Sequence, residues 1–143
     1  MTPLKRILLV DDDSVTNMLH RRVIERSGLV ELIDVATDGR EALELLGADL
    51  TAERALPELI FLDINMPGMG GFEFLEHYAD LPVGPDAQLI IVMLSTSLLP
   101  NDHARARNDP NVHSFCEKPL SLRELLTVVE EFQNRQDGRR SVA

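Results

Sequence analysis

The chain has 143 residues, enough for one domain with a full core, and at this size about two-thirds of the unfolded surface is buried on folding. Its formal net charge is -10, so a polyanion such as DNA is repelled and direct nucleic-acid binding is not expected. Cys116 is the only cysteine, which excludes an internal disulfide and any CxxC metal or redox pattern. The apolar stretch after Met1 to Arg6 is too short for a signal peptide, and no run approaches membrane-spanning length. The default expectation is a cytoplasmic protein.

Ile7 to Val10 is short and continuously apolar, the pattern of a strand covered on both faces, and it runs into Asp11-Asp12-Asp13. Ser14 opens a helical segment with Val15, Met18, Leu19 and Val23 on the expected inward face, closed by Gly28. Leu32, Ile33 and Val35 predict a second strand. Asp38 with Glu41 reads as a capping box for a helix that buries Ala42, Leu45 and Leu46 and stops at Gly47. Ala48 to Pro57 reads as a surface connection.

The stretch Leu59 to Gly71, LIFLDINMPGMGG, is an apolar strand that stops at Asp63 and passes into Met66-Pro67 and a glycine cluster. Phe72, Leu75 and Ala79 mark a third helix, broken by Leu81-Pro82-Val83-Gly84-Pro85. Leu89 to Leu94 is the fourth strand, tipped by the hydroxyl triplet Ser95-Thr96-Ser97. Asn101 to Asn108 is polar with only Ala104 and Ala106 as small apolar residues, a faint helical signal. Val112 to Cys116 forms a fifth strand followed by Lys118-Pro119. Ser121 with Glu124 caps a last helix that presents Leu122, Leu125, Leu126, Val129 and Phe132 at helical spacing. From Gln133 the sequence turns polar and is expected to fray, giving one domain over 4–135 and a disordered tail over 136–143.

Five strands alternating with helices predict an α/β fold: a parallel sheet with helices on both faces and a site beyond the carboxyl ends of the strands. Asp11 to Asp13, Asp63, Ser95 and Lys118 all fall at such ends. Taken singly each has a plain structural reading, Asp63 as a turn former, Ser95 and Thr96 as caps, Lys118 as an exposed lysine. Their joint placement carries the inference. Carboxylates that converge repel, by roughly 4 kcal/mol for two unit charges about 4 Å apart at an effective dielectric near 20, so a cation is required. Oxygen ligands without a His or Cys cluster point to a hard ion such as Mg²⁺. The four histidines, His20, His77, His103 and His113, show no ligand spacing and are expected to be structural or exposed. With Lys118 as a further positive charge and Ser95 as a donor, the pocket suits a phosphoryl group on Asp63.

The ordered fragments ILLVDDD, FLDINMPGMGGFEFL, IIVMLSTS and FCEKPLS make the chain from Lys5 to about Gln133 resemble the receiver domain of two-component response regulators. The resemblance implies a flavodoxin-like doubly wound sheet of order 2-1-3-4-5 and phosphorylation of Asp63 by a sensor histidine kinase or a phosphotransfer protein. It also implies Mg²⁺ held by Asp12 directly, by Asp11 through water, by Asp63 and by the backbone carbonyl of Asn65. Ser95 resembles the hydroxyl that bonds the phosphoryl oxygen, Lys118 its salt-bridge partner, and Phe115 the aromatic that rotates inward on activation, while Asp13 is a bystander near the first helix. The surface of the fourth helix, fifth strand and fifth helix is then the expected output face, in a stand-alone regulator that is a monomer or weak homodimer and touches neither nucleic acid nor membrane. Three positions depart from the family's pattern. Gly70 stands where Asp or Asn is usual, Thr96 replaces the common Ala, and Asn108-Asp109-Pro110-Asn111 replaces the usual Gly-Ala entry to the fifth strand.

Two other classes compete. Asp11-x-Asp13 superficially resembles the start of haloacid-dehalogenase phosphohydrolases, but Val15 stands where that motif needs Thr. A phosphorylation-independent interaction module would have no need of Asp12, Asp63, Ser95 and Lys118 together. Gly68-x-Gly70-Gly71 breaks the spacing of a dinucleotide-binding loop.

Overall fold

The computed structural model describes residues 2–84, 87–96 and 99–141, the side chains of 137–141 excepted. Pro85 of the expected helix breaker and Ser97 of the hydroxyl triplet lie outside the described residues, as do the last two residues of the tail. In chain order the elements are β1 (Leu4–Val10), α1 (Ser14–Ser27), β2 (Val30–Ala36), α2 (Gly39–Thr51), β3 (Leu59–Asp63), α3 (Gly71–Tyr78), β4 (Ile90–Ser95), α4 (Pro100–Asn108), β5 (Val112–Glu117) and α5 (Leu122–Ser141). The strands form one parallel sheet in the order β2-β1-β3-β4-β5, the doubly wound, flavodoxin-like arrangement expected from the sequence.

The alternation of side chains along each strand divides the core into two layers. Leu8, Val10, Ile60, Leu62, Ile91 and Met93 point to the face packed with Ala42 and Leu46 of α2 and Phe74 and Leu75 of α3. Ile7, Leu9, Phe61, Val92 and Leu94 point to the other, where Ile24 of α1 and Leu125, Val129 and Phe132 of α5 close over them. All residues of β3 and β4 are buried, which is why these strands read as unbroken apolar runs.

The inward face of α1 is not the expected one. Val15, Met18 and Leu19 are 55%, 45% and 45% exposed, while Asn17, His20 and Ile24 are buried. Asn17 Nδ2 donates to the carbonyl of Asp11 at 2.9 Å, and the Leu120 amide donates to His20 Nε2 at 3.2 Å. Bonds to the end of β1 and to the segment before α5 thus turn these two polar residues inward beside Ile24. On α5, Leu122 and Leu126 are likewise exposed, and Val128 joins Leu125, Val129 and Phe132 in the core. Leu45 of α2 and Leu32 of β2 also face outward, β2 being an edge strand.

Two helix ends differ from the sequence reading. Gly47 does not stop α2, which runs to Thr51, because the next turn buries Asp49 against the guanidinium of Arg6 and, at 3.2 Å, that of Arg54. The tail from 136 was expected to lack structure, yet α5 continues to Ser141. Glu130, Glu131, Gln133, Arg135 and Gln136 are all good helix formers, and Gln133 Nε2 donates to the carbonyl of Thr2. The N-cap half of both predicted boxes forms: Glu41 N donates to Asp38 Oδ1 at 2.8 Å, and Glu124 N to Ser121 Oγ at 3.1 Å, while the two glutamate side chains accept from Thr37 and from the Ser121 hydroxyl.

Candidate functional site

β1, β3 and β4 lie side by side in register, with Val10 opposite Leu62 and Asp63 opposite Leu94. Neighbouring strands are about 4.8 Å apart, so residues one step beyond such a pair are forced together. Asp11 and Asp63 are placed in this way, and both are buried, at 4% and 7% exposure. Asp12 is exposed beside them. One carboxylate oxygen from each of Asp11, Asp12 and Asp63 lies within 4.8 Å of the others.

Lys118 follows β5 and is joined to Pro119 by a cis peptide bond. Its backbone N–H donates to the carbonyl of Ser95 at 2.9 Å, so the end of β4 sets where Lys118 begins. The ammonium then reaches Asp11 Oδ2 at 2.5 Å and Asp63 Oδ1 at 3.0 Å. Ser95 is 2% exposed at the tip of β4. Asp11 Oδ1 accepts from the Asp13 N–H at 3.0 Å, which turns the chain out of the sheet.

Asp13, expected as a bystander, is the N-cap of α1: its Oδ2 accepts from Thr16 N at 3.2 Å and Thr16 Oγ1 at 2.5 Å, and these bonds hold its carboxyl below the usual range. The loop after Asp63 is tight. Gly68 has φ +75, and α3 starts at Gly70 without a side-chain cap. The Gly71 N–H donates to the Ile64 carbonyl at 2.9 Å, and a Cβ on Gly71 would run into the carbonyl oxygen of Asp63. Glycine at 71 is therefore a close-packing requirement, whereas at 70, where the family's pattern would have offered a cap, a Cβ would only press on the Ile64 carbonyl at 3.0 Å. Asn65 is exposed in this loop, two residues beyond Asp63. Phe115 is half-buried on β5, its ring centroid 5.3 Å from that of His103 on α4.

Burial pushes the Asp63 carboxyl above its usual range; Lys118 opposes this, and the charges of Asp11 and Asp12 reinforce it. For Lys118 burial acts downward, but the hydrogen bonds its ammonium donates to Asp11 and Asp63 outweigh it and the net direction is up. One ammonium thus faces three carboxylates. That excess of negative charge, on oxygen donors alone, fits a hard divalent cation such as Mg²⁺.

The structure therefore brings Asp11, Asp12, Asp63, Ser95 and Lys118 to one end of the sheet, and sets Phe115 on β5 against α4. His20, expected to be structural or exposed, is structural and buried, while Asn17, which the sequence reading passed over, is buried on the Asp11 carbonyl.

A model of the response regulator receiver domain matches residues 7–130. The chain is 35% identical over 133 residues to the probable methanogenesis regulatory protein FilR2 of Methanothrix harundinacea, covering 89% of this chain and 80% of that one. It is 29% identical to response regulator Rcp1 of Synechocystis, over 92% of this chain and 88% of its relative. Among solved structures, a two-component response regulator from Cytophaga hutchinsonii superposes with a TM-score of 0.85 at 32% identity, covering 92% of this chain and 98% of the other. Chemotaxis response regulator CheY4 of Vibrio cholerae gives 0.64 at 26%, covering 90% and 98%. No helix among the described residues is long and apolar enough to cross a membrane.

Proposed function

Because this chain belongs to the response regulator receiver domain family, we propose that it accepts a phosphoryl group on Asp63 from a histidine kinase or a phosphotransfer protein and thereby switches the binding of a downstream partner. The observation that carries the reading is the setting of Asp63: a buried carboxylate at a strand end, contacted by Lys118 and crowded by Asp11 and Asp12.

In the transfer, an oxygen of Asp63 forms a bond to phosphorus as the bond from phosphorus to the donor breaks, and the donor leaves with that electron pair. The ammonium of Lys118, already 3.0 Å from Asp63, balances charge on the incoming group, and Ser95 offers a hydroxyl donor from β4. Asp11, Asp12, Asp63 and the backbone carbonyl of Asn65 would hold Mg²⁺, which supplies charge neutralisation on the phosphoryl oxygens. The product is an acyl phosphate carrying about -1.5 to -2 charges and strong acceptor oxygens, so Ser95 and Lys118 are drawn toward it. Phe115 links that shift to the surface of α4, β5 and α5, biasing a two-state equilibrium that a partner protein reads. The protein acts as a phospho-acceptor in the cytoplasm, as a monomer or weak homodimer.

Incubation with acetyl phosphate and Mg²⁺, followed by intact-mass measurement, is expected to add one phosphoryl group to the wild type and none to Asp63→Asn. Absence of labelling in the wild type, or equal labelling of the variant, refutes the proposal.

A further inference from the structure

Alongside the apolar Ile24 and Val23, α1 turns two polar residues, Asn17 and His20, inward where the sequence pattern predicted Val15, Met18 and Leu19, and these two grip the two chain segments that carry the pocket's charges. Asn17 is 8% exposed and donates through Nδ2 to the carbonyl of Asp11 at 2.9 Å. One helical turn on, His20 is 2% exposed and accepts, through Nε2, the N–H of Leu120 at 3.2 Å. Leu120 follows Lys118 by two residues. The same helix begins at Asp13, whose own N–H fixes Asp11 Oδ1.

Neither residue is what packing alone would select. Asn17 Oδ1 is buried without a hydrogen-bond partner, a cost that an apolar side chain of similar size would avoid. His20 accepts rather than donates at Nε2, which requires the tautomer protonated at Nδ1. A buried amide kept at the expense of an orphaned acceptor marks the bond to Asp11 as the reason for its presence.

We infer that Asn17 and His20 are positioning residues of the acid pocket: Asn17 fixes Asp11, His20 fixes the segment bearing Lys118, and α1 thereby sets the balance between Lys118 and a divalent cation for the carboxylates. Neither touches the reacting atoms. Loosening Asp11 weakens the cation's ligand set. Loosening Lys118 frees Asp11 and Asp63 from their competing ammonium and strengthens it. The inference rests on the receiver reading only for its labelling measurement; cation binding tests it separately.

The test is Mg²⁺ titration by calorimetry on the full chain, with unfolding midpoints measured alongside. Asn17→Leu removes the orphaned Oδ1 but strands the Asp11 carbonyl, so stability is expected to change little, while Mg²⁺ weakens roughly tenfold, the scale of lost outer-shell support. His20→Leu is expected to bind Mg²⁺ about threefold more tightly, as the competing charge relaxes, and to label more slowly with acetyl phosphate. His20→Gln, which can again accept from Leu120, is expected to return both quantities toward the wild type.

A merely structural role would move both leucine variants in the same direction, so parallel shifts, or none in folded protein, overturn the inference. Should His20→Leu fail to fold, the nitrogen spectrum of wild-type His20 decides: protonation at Nδ1, with coupling from Nε2 to the Leu120 amide, supports the tether, and the other tautomer refutes it. Wild type that binds Mg²⁺ but takes no phosphoryl group defeats the proposed function and leaves the cation measurements as the test of this one.

Discussion

The ammonium of Lys118 stands 3.0 Å from Oδ1 of Asp63, so the acceptor carboxylate meets positive charge before any phosphoryl group arrives. The lysine is nearly buried, and its removal would strand carboxylates that repel one another. Lys118→Met is expected to cost on the order of 3 kcal/mol in Mg²⁺-free buffer, as for breaking a buried pair, and to regain part of that when Mg²⁺ is added. Urea unfolding with and without Mg²⁺ measures both; a Lys118→Met loss that Mg²⁺ leaves untouched would show that the ion does not replace the ammonium.

Asp49 is the corresponding anchor away from the site. It is 4% exposed and held by Arg6 of β1 and by Arg54. Asp49→Ala leaves the half-buried Arg6 without its main partner, and a loss of about 3 kcal/mol is expected in the urea midpoint, with no change in acetyl phosphate labelling of the folded fraction.

Gly71→Ala places a methyl group against the backbone of Asp63, which cannot swing aside as a flexible side chain would. A destabilisation of about 2 to 3 kcal/mol is expected. Because the strained atoms belong to the acceptor itself, labelling of the folded protein should also slow. A Gly71→Ala protein that unfolds and labels like wild type would show that the loop relaxes freely.

Stability should depend on pH through His20. Burial lowers its pKa below the ordinary 6.5, with the charge of Lys118 acting in the same direction. The unfolded chain therefore takes up the proton first as pH falls. The contribution of the neutral ring is fully present above pH 6.5 and is lost progressively between 6.5 and the lower folded value. Urea midpoints at pH 7.5 and 5.5 should differ more for wild type than for His20→Gln; equal differences would remove His20 as the cause.

Cys116 should be chemically quiet. Burial, followed by the nearby Glu124, pushes its thiol up to about 12, so almost no thiolate exists at neutral pH. Alkylation by iodoacetamide at pH 8 is expected to proceed only as fast as the chain opens, and to become rapid in urea. Immediate stoichiometric modification of the native protein would contradict this.

The strands, and the charged or hydroxyl residues at their ends, were legible because each is announced locally, by an unbroken apolar run and by what interrupts it. The sheet order came through family resemblance, since apolar runs do not specify which neighbours they choose. What was misread lies on the helices. Val15, Met18 and Leu19 form a credible apolar stripe, yet α1 turns Asn17 and His20 inward because they satisfy backbone groups, the Asp11 carbonyl just before the helix and the Leu120 amide a hundred residues on, that side-chain periodicity does not report. Gly47 looked like a stop, but helix propensity at one position was outweighed by the ion pairs waiting for Asp49 a half-turn later.

Ala106 is the only residue of α4 that is fully buried among those described, and the helix is otherwise moored by surface contacts: Arg105 with Glu76 and over the ring of Phe72, and His103 against Phe115. Sliding such a helix exposes little more than one methyl group to water, whereas displacing α3 or α5 would uncover several large side chains. Of the layers around this sheet, that one can be re-seated without melting what lies beneath it.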